Sequence, residues 1–386
     1  FGPPVDVVTT GSVQAASIEA AAGSDALSAP ATVPPVPPDL VTLAVPETPT
    51  FAAGSPGFTT ALDLVTGDKH VRAFALADAL EDSAERYTIQ WLAIRNGEGA
   101  IDYEAVIRFA AEAPDFAAGP VFRTRLEQAL LRANAAGPEI IRHLGGAMPN
   151  TVAAQVALAL AYVEDGQDER AARIARTIWT GNFLGRQEET RVRDRLGALL
   201  TPADHWDRAV MLMMHDRASG VTRLMDTMSP AQKSLAVARN AVSRKAKDAK
   251  ALLDAVDPSM REHPVYLFSR VQRARQFGLW EDAVDWLNKA TAADLPEAAE
   301  WWYERRTITR ELLDQQKYEL AYQAADGYRG GPEGRMVEAH FHAGWIALSY
   351  LGDAERATSH FEAMRPYATL PDSVTQARRE RCLRRW

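Results

Sequence analysis

The sequence is poor in cysteine, in long apolar runs and in net positive charge. A single cysteine, Cys382, excludes an internal disulfide framework and any zinc site built from cysteines. No apolar stretch approaches the roughly 20 residues that a membrane-spanning helix needs. A net charge of -8 and a pI near 5.6 argue against a surface dedicated to nucleic acid or anionic lipid. These deficits predict a globular chain without a transmembrane segment or a nucleic-acid partner.

The motifs of several large enzyme classes are also missing. The sequence has no Gly-rich phosphate loop, no Gly-x-Ser-x-Gly elbow and no His-Glu-x-x-His zinc motif. His340 and His342 would point about 200° apart on a helix, so the two side chains cannot share one ion. His205 follows Thr201-Pro202 at the start of a helix, where polar residues serve as caps. We therefore predict no catalytic residue, no metal ligand and no cofactor site.

The first 58 residues differ in composition from the rest. They contain ten of the 22 prolines, among alanine, threonine and serine. A segment of this kind buries too little apolar surface to offset the entropy lost on ordering. We predict a disordered Pro/Ala-rich segment over residues 1–58 and one helical domain over residues 59–386.

Helical periodicity continues through the rest of the chain, and a repeat recurs within it. Apolar residues are spaced three and four apart, and stretches of alternating strand type are absent. A Gly/Gln-x-x-Glu-x-Ala template starts at Gly166, Gly278, Gln316 and Gly352. A glycine that ends one helix, followed by an alanine that lets the next helix pack closely, is typical of helix–turn–helix repeats. The fold prediction is all-α: a tetratricopeptide-like solenoid of stacked helix pairs.

One aromatic and basic segment is a candidate contact for sugars. Trp301 and Trp302 point in different directions on a helix, so we expect at most one of them to be exposed. An exposed tryptophan can stack on a pyranose ring, although wedging adjacent helices apart is the commoner role of such residues. The candidate glycan contacts are Trp302, Arg305, Arg306 and Arg310.

A set of short segments between about residues 85 and 378 has a distinctive order and spacing and is densest in the last third. The segments are Ala171-x-x-x-Ala175-Arg176-x-x-Trp179, Asp204-His205-x-x-Arg208, Ala238-Arg239, Pro296-Glu297, Trp301-Trp302-x-Glu304-Arg305, Arg310-x-Leu312, Ala321-Tyr322, Glu338-Ala339-x-Phe341-x-Ala343-Gly344-Trp345-Ile346-Ala347-Leu348, His360-Phe361 and Ser373. In this order and spacing the chain resembles the superhelical domain of the soluble lytic murein transglycosylases.

The resemblance implies a periplasmic α-superhelical domain of ring or horseshoe shape beside a lysozyme-like domain that cleaves peptidoglycan. In that family the cleaving domain carries its acid in a Glu-Ser motif, and no Glu-Ser dipeptide occurs in this sequence. Where the family has a Tyr-Trp-Leu-Gly-Arg-like helix, Arg381-Cys382-Leu383-Arg384-Arg385 stands here. We therefore expect a truncated, frame-shifted or degenerate product that is inactive alone.

Two functions follow as expectations. The first is a helical scaffold that holds glycan strands or periplasmic proteins near a catalytic domain. The alternative is a tetratricopeptide-like adaptor that binds a protein and has no enzymatic activity.

Overall fold

The computed structural model describes residues 54–369 and contains no strand in that range. Its helices are Pro56–Thr66 (α1), His70–Ala77 (α2), Ser83–Asn96 (α3), Tyr103–Glu112 (α4), Pro114–Ala117 (α5), Pro120–Arg132 (α6), Gly137–Leu144 (α7), Val152–Glu164 (α8), Asp168–Gly181 (α9), Arg186–Leu196 (α10), Pro202–Met214 (α11), Ala218–Arg223 (α12), Pro230–Ser243 (α13), Ala249–Asp254 (α14), Pro264–Gln276 (α15), Trp280–Leu287 (α16), Ala298–Asp314 (α17), Tyr318–Asp326 (α18), Glu333–Ser349 (α19) and Ala354–Met364 (α20). Consecutive helices pack as pairs in a solenoid-like arrangement. The all-α prediction is confirmed.

The helical region begins slightly before the boundary that composition suggested. The helix α1 starts at Pro56, three residues before residue 59. Ser55 caps this helix by accepting a hydrogen bond from the Phe58 amide, and its hydroxyl donates to Glu85 on α3. A serine followed by proline is itself a start signal, so the sequence contained the earlier boundary. The predicted disorder over residues 1–53 and the basic segment from Arg381 to Arg385 lie outside the described residues.

Two helix starts show the capping chemistry that their sequences predict. Thr201 accepts from the Asp204 amide, and the Asp204 carboxylate accepts in return from the Thr201 amide at 2.7 Å. Ser229 and Gln232 form the same reciprocal pair at the start of α13. Each of these reciprocal pairs, known as capping boxes, provides acceptors for two backbone amides at the helix start that have no partner within the helix. Asp204 also accepts from Arg176 at 2.6 Å, which ties α11 to α9.

The turns between paired helices share one backbone geometry. In seven turns of the described region one residue adopts a left-handed conformation. The amide of the residue after it donates to the carbonyl of the residue five positions before that amide. The left-handed residues are Asp68, Asn134, Gly166, Asp216, Lys245, Gly278 and Gln316. This bond closes the end of the first helix of each pair. Gly352 is also left-handed, but there the bond runs from Asp353 to Ala347.

The remaining template positions hold successive repeats together. The alanines of the template, residues 171, 283, 321 and 357, are at most 1% exposed. Their small side chains allow the second helix of a pair to approach the first. Two of the four template glutamates form ion pairs with the following repeat: Glu281 accepts from Lys317 at 2.5 Å, and Glu319 accepts from Arg356 at 3.1 Å.

Aromatic and arginine side chains fill the interfaces between repeats. One apolar core is continuous from Leu130 to Ile346, and a second lies between Ala61 and Phe122. Trp179, Trp301 and Trp302 are completely buried in the first core. Both tryptophans of the Trp301-Trp302 pair therefore wedge helices apart, and neither is exposed.

Three buried arginines, Arg208, Arg239 and Arg305, bridge helices by donating to backbone carbonyls. Arg208 donates to the Trp179 carbonyl at 2.5 Å, to the Asn182 carbonyl at 3.1 Å and to Glu189 at 2.8 Å. Arg239 likewise donates to the Met213 carbonyl at 2.9 Å. These carbonyls lie at or near the ends of helices, where no intrahelical amide is available to them. A fixed positive charge there also complements the helix dipole.

The stability of α15 is expected to depend on pH through His263. Its Nδ1 accepts a hydrogen bond from the Val265 amide at 3.2 Å and thereby caps the helix. Burial lowers the pKa of His263 below its ordinary value of 6.5. The folded state therefore favours neutral His263, so its contribution is complete above pH 6.5 and is lost as the pH falls toward the folded pKa. The loss approaches about 1 kcal/mol, the value of a typical N-cap.

A His263→Asn variant separates this effect from the other histidines, because asparagine caps a helix without titrating. Denaturant unfolding at pH 7.5 and at pH 5.5 should show a smaller pH-dependent loss in the variant than in the parent. An equal loss in the two proteins would show that the His263 cap does not sense pH.

Candidate functional site

Two of the four candidate glycan contacts are buried, which corrects the sequence interpretation. Trp302 is completely covered, and its indole nitrogen donates to Glu338 on α19 at 2.8 Å. Arg305 is 1% exposed and donates to the carbonyls of Leu287 and Ala324, both at 2.9 Å. Neither side chain presents a surface to a glycan strand. Both hold α17 against its neighbours.

The other two candidates reach the surface. Arg306 is partly exposed and donates to Glu338 on α19 at 2.7 Å, so this carboxylate partly offsets its charge. Arg335 donates to the same carboxylate at 2.9 Å. Arg310, one turn beyond Arg306, is exposed. Of the four predicted residues, Arg310 is the one whose charge is most available to a ligand.

Three aromatic rings lie together at the C-terminal end of α19. We call Tyr318, Trp345 and Tyr350 the aromatic platform. The Tyr318 and Tyr350 rings are stacked with centroids 4.7 Å apart, and Trp345 meets Tyr350 edge-to-face at 5.1 Å. Trp345 is 36% exposed and Tyr350 is 40% exposed. Exposed aromatic rings held rigid by one another form a preorganised apolar surface.

Arg310 lies on the helix that neighbours the platform helix. The C-terminal ends of α17 and α19 both lie at the start of α18, because a short turn joins Asp314 to Tyr318 and the Tyr318 ring stacks on Tyr350. They meet where Arg306 and Trp302 contact Glu338. Arg310 is one turn further along α17, and Trp345 is two turns further along α19. A positive charge and the exposed rings therefore lie toward the same end of the two helices.

A cluster of polar side chains lies between α18, α19 and α20. His340 Nδ1 is 3.2 Å from His360 Nδ1, and on the other edge of its ring His360 Nε2 is 3.0 Å from the Tyr322 hydroxyl and 3.3 Å from Asp326. These residues line a cavity of about 540 Å³ together with Arg329, Asp353, Glu355, Arg356, Ser359 and Ala363. The cavity is open to solvent on one side.

Burial keeps both imidazoles of this group neutral. It lowers the pKa of His340 to about 4, and the neighbouring His360 and Arg329 lower it further in the same direction. Burial also lowers the pKa of His360, although Asp326 acts in the opposite direction. His342, which the sequence analysis considered with His340, instead contacts the Glu338 carbonyl through Nδ1 at 2.7 Å. His340 and His342 therefore point to different partners, as their spacing on a helix predicted.

Neither a three-ligand metal site nor a membrane-spanning helix is found in the described part of the chain. Between residues 54 and 369, no set of three or more His, Cys, Asp or Glu side chains has the geometry of a metal site. No helix in that range has the length and apolar character needed to cross a membrane. No family model matches the chain, and no curated protein matches it. The aromatic platform and the His340–His360 cavity are the candidate sites considered below because they combine accessible rings or polar groups in a defined geometry.

Proposed function

We propose that this chain is the helical, non-catalytic scaffold of a periplasmic peptidoglycan lytic transglycosylase, and that it holds glycan strands. The aromatic platform is the observation that carries this proposal. Trp345 and Tyr350 are exposed and held by ring contacts, which suits them to stack on the apolar faces of pyranose rings. The ordered resemblance between residues 85 and 378 supports the same class of ligand.

Local charge favours the glycan as well. The chain is acidic overall, with a net charge of -8, and peptidoglycan carries carboxylates. Overall electrostatics therefore oppose binding, and local cations are needed to offset this repulsion. Arg310 and the partly exposed Arg306 supply positive charge on the helix beside the platform.

The platform residues are expected to account for retention on sacculi. Each aromatic contact contributes about 0.5–1.5 kcal/mol beyond burial of its area. The double variant Trp345→Ala, Tyr350→Ala should therefore bind roughly tenfold more weakly in a sacculus pull-down at moderate salt. Phe277→Ala is the matched control, because Phe277 is 57% exposed at a different turn and should be dispensable.

Equal retention of the double variant and the parent would remove the platform from the proposed binding surface. Absence of retention at any salt concentration would favour the alternative function, an adaptor for a protein partner.

A further inference from the structure

The His340–His360 pair has a geometry that a shared ion would require. Two imidazole nitrogens bound to one tetrahedral ion at about 2.05 Å lie about 3.3 Å apart. The two Nδ1 atoms here are 3.2 Å apart. A shared ion could therefore replace the hydrogen bond between the rings at nearly the same nitrogen separation, with the two rings turning so that both lone pairs face the ion.

The Nε2 atom of His360 has the kind of hydrogen-bond partners that the second nitrogen of a metal-bound histidine usually has. Asp326 lies 3.3 Å from Nε2, and the Tyr322 hydroxyl lies 3.0 Å from the same atom. When Nε2 carries the proton and donates it to the carboxylate, Nδ1 presents its lone pair to His340. A carboxylate behind a histidine commonly fixes the tautomer and ring orientation of a metal ligand.

The surroundings leave room for the rest of a coordination sphere. The pair borders the cavity of about 540 Å³, whose other lining groups include Asp353, Glu355 and Ser359. Arg329 and Arg356 also line it, but each forms an ion pair with a lining carboxylate, Asp326 and Asp353 respectively. Water or a bound molecule can enter from the open side. Two imidazole ligands favour borderline ions such as Zn²⁺, Ni²⁺ or Cu²⁺ over Mg²⁺ or Ca²⁺, which prefer oxygen ligands.

We propose that His340 and His360 form a two-histidine site for a borderline divalent transition ion such as Zn²⁺, with Asp326 as the positioning residue and open coordination positions facing the cavity. The site is independent of the aromatic platform and of glycan binding. Without metal, one Nδ1 carries the proton of the hydrogen bond between the rings. On binding, that proton shifts to Nε2 of the same ring through solvent, and the ion takes its place.

Zn²⁺ titration of the full, tag-free chain by calorimetry tests the site. We expect one saturable site in the parent protein, and at least tenfold weaker binding in His340→Gln and in His360→Gln. Asp326→Asn should weaken binding by about 10- to 100-fold, as other carboxylates behind metal-bound histidines do. His342→Gln is the matched control and should bind like the parent, because its ring lies on the Glu338 carbonyl.

A second measurement needs no variant. Zn²⁺ should protect His340 and His360 of the parent protein from diethyl pyrocarbonate, as read by mass spectrometry, and leave His342 unprotected. Absence of a saturable site below millimolar Zn²⁺ would overturn the proposal. Binding that is undiminished in both His340→Gln and His360→Gln, or equal protection of all three histidines, would overturn it as well.

Discussion

Replacing Arg208 with alanine is expected to lower the free energy of unfolding by about 3–5 kcal/mol, the usual result of removing one partner of a buried ion pair. The Arg208 side chain is completely buried against Glu189, whose own side chain is only 5% exposed. Alanine would leave that carboxylate with Arg223 as its remaining partner at 2.8 Å. It would also remove the donor that serves the carbonyls of Trp179 and Asn182.

Urea denaturation followed by circular dichroism at 222 nm, a standard helix signal, measures this loss. Arg191→Ala is the matched control because Arg191 is exposed on the same helix as Glu189. Its effect should stay within about 0.5 kcal/mol. A loss below about 1 kcal/mol for Arg208→Ala would mean that water replaces the guanidinium, and that the interface around Trp179 is not closed.

Gly99→Ala is expected to cost about 2–5 kcal/mol through two additive causes. Gly99 has a φ of +79°, a conformation in which any other L-residue is strained. A Cβ there would also lie 2.5 Å from the Gln128 Cβ and 2.8 Å from the Ala129 amide nitrogen. Because part of this obstacle is the backbone of α6, a change of side-chain rotamer cannot relieve it.

The matched control for this prediction is Gly166→Ala. Gly166 has a φ of +73°, and a Cβ at this position would meet no atom within 4 Å. Its cost should be confined to the backbone conformation, about 1–2 kcal/mol. Thermal and urea unfolding of the two variants give the comparison. Equal costs would show that the turn at Gly99 does not approach α6 as closely as described.

Local signals in the sequence identified the helices and many of their ends. Proline after Thr201 or Ser229 marked helix starts that the structure confirms. The repeat template located the turns at Gly166, Gly278, Gln316 and Gly352. It missed the equivalent turns at Asp68, Asn134, Asp216 and Lys245, because none of these residues is Gly or Gln and none is followed three residues later by Glu. Non-glycine residues, aspartate and asparagine above all, can adopt the left-handed conformation, so a template that begins with Gly or Gln undercounts the repeats.

The candidate sites were harder to predict, because the exposure of a side chain depends on which face of its helix the next repeat covers. Periodicity showed that Trp301 and Trp302 point in different directions, but not that neighbouring helices cover both. The exposed Trp345 belongs to a segment already noted for its family resemblance, yet nothing in its spacing marks it as uncovered. His340 and His360 are 20 residues apart on different helices, so their contact arises only from the packing of α20 on α19.

The carbonyl-bridging arginines also bear on how the protein emerges during synthesis. The carbonyls of Trp179 and Asn182 precede Arg208 by 29 and 26 residues, and the Met213 carbonyl precedes Arg239 by 26. On a growing chain, these two helix ends therefore lack their arginine donor until about one further repeat of polypeptide has emerged. Until then the Asn182 and Met213 carbonyls have only the local amides of Leu184 and Asp216 as protein donors. During synthesis, closure of these two interfaces therefore trails the exit of the chain from the ribosome by about one repeat.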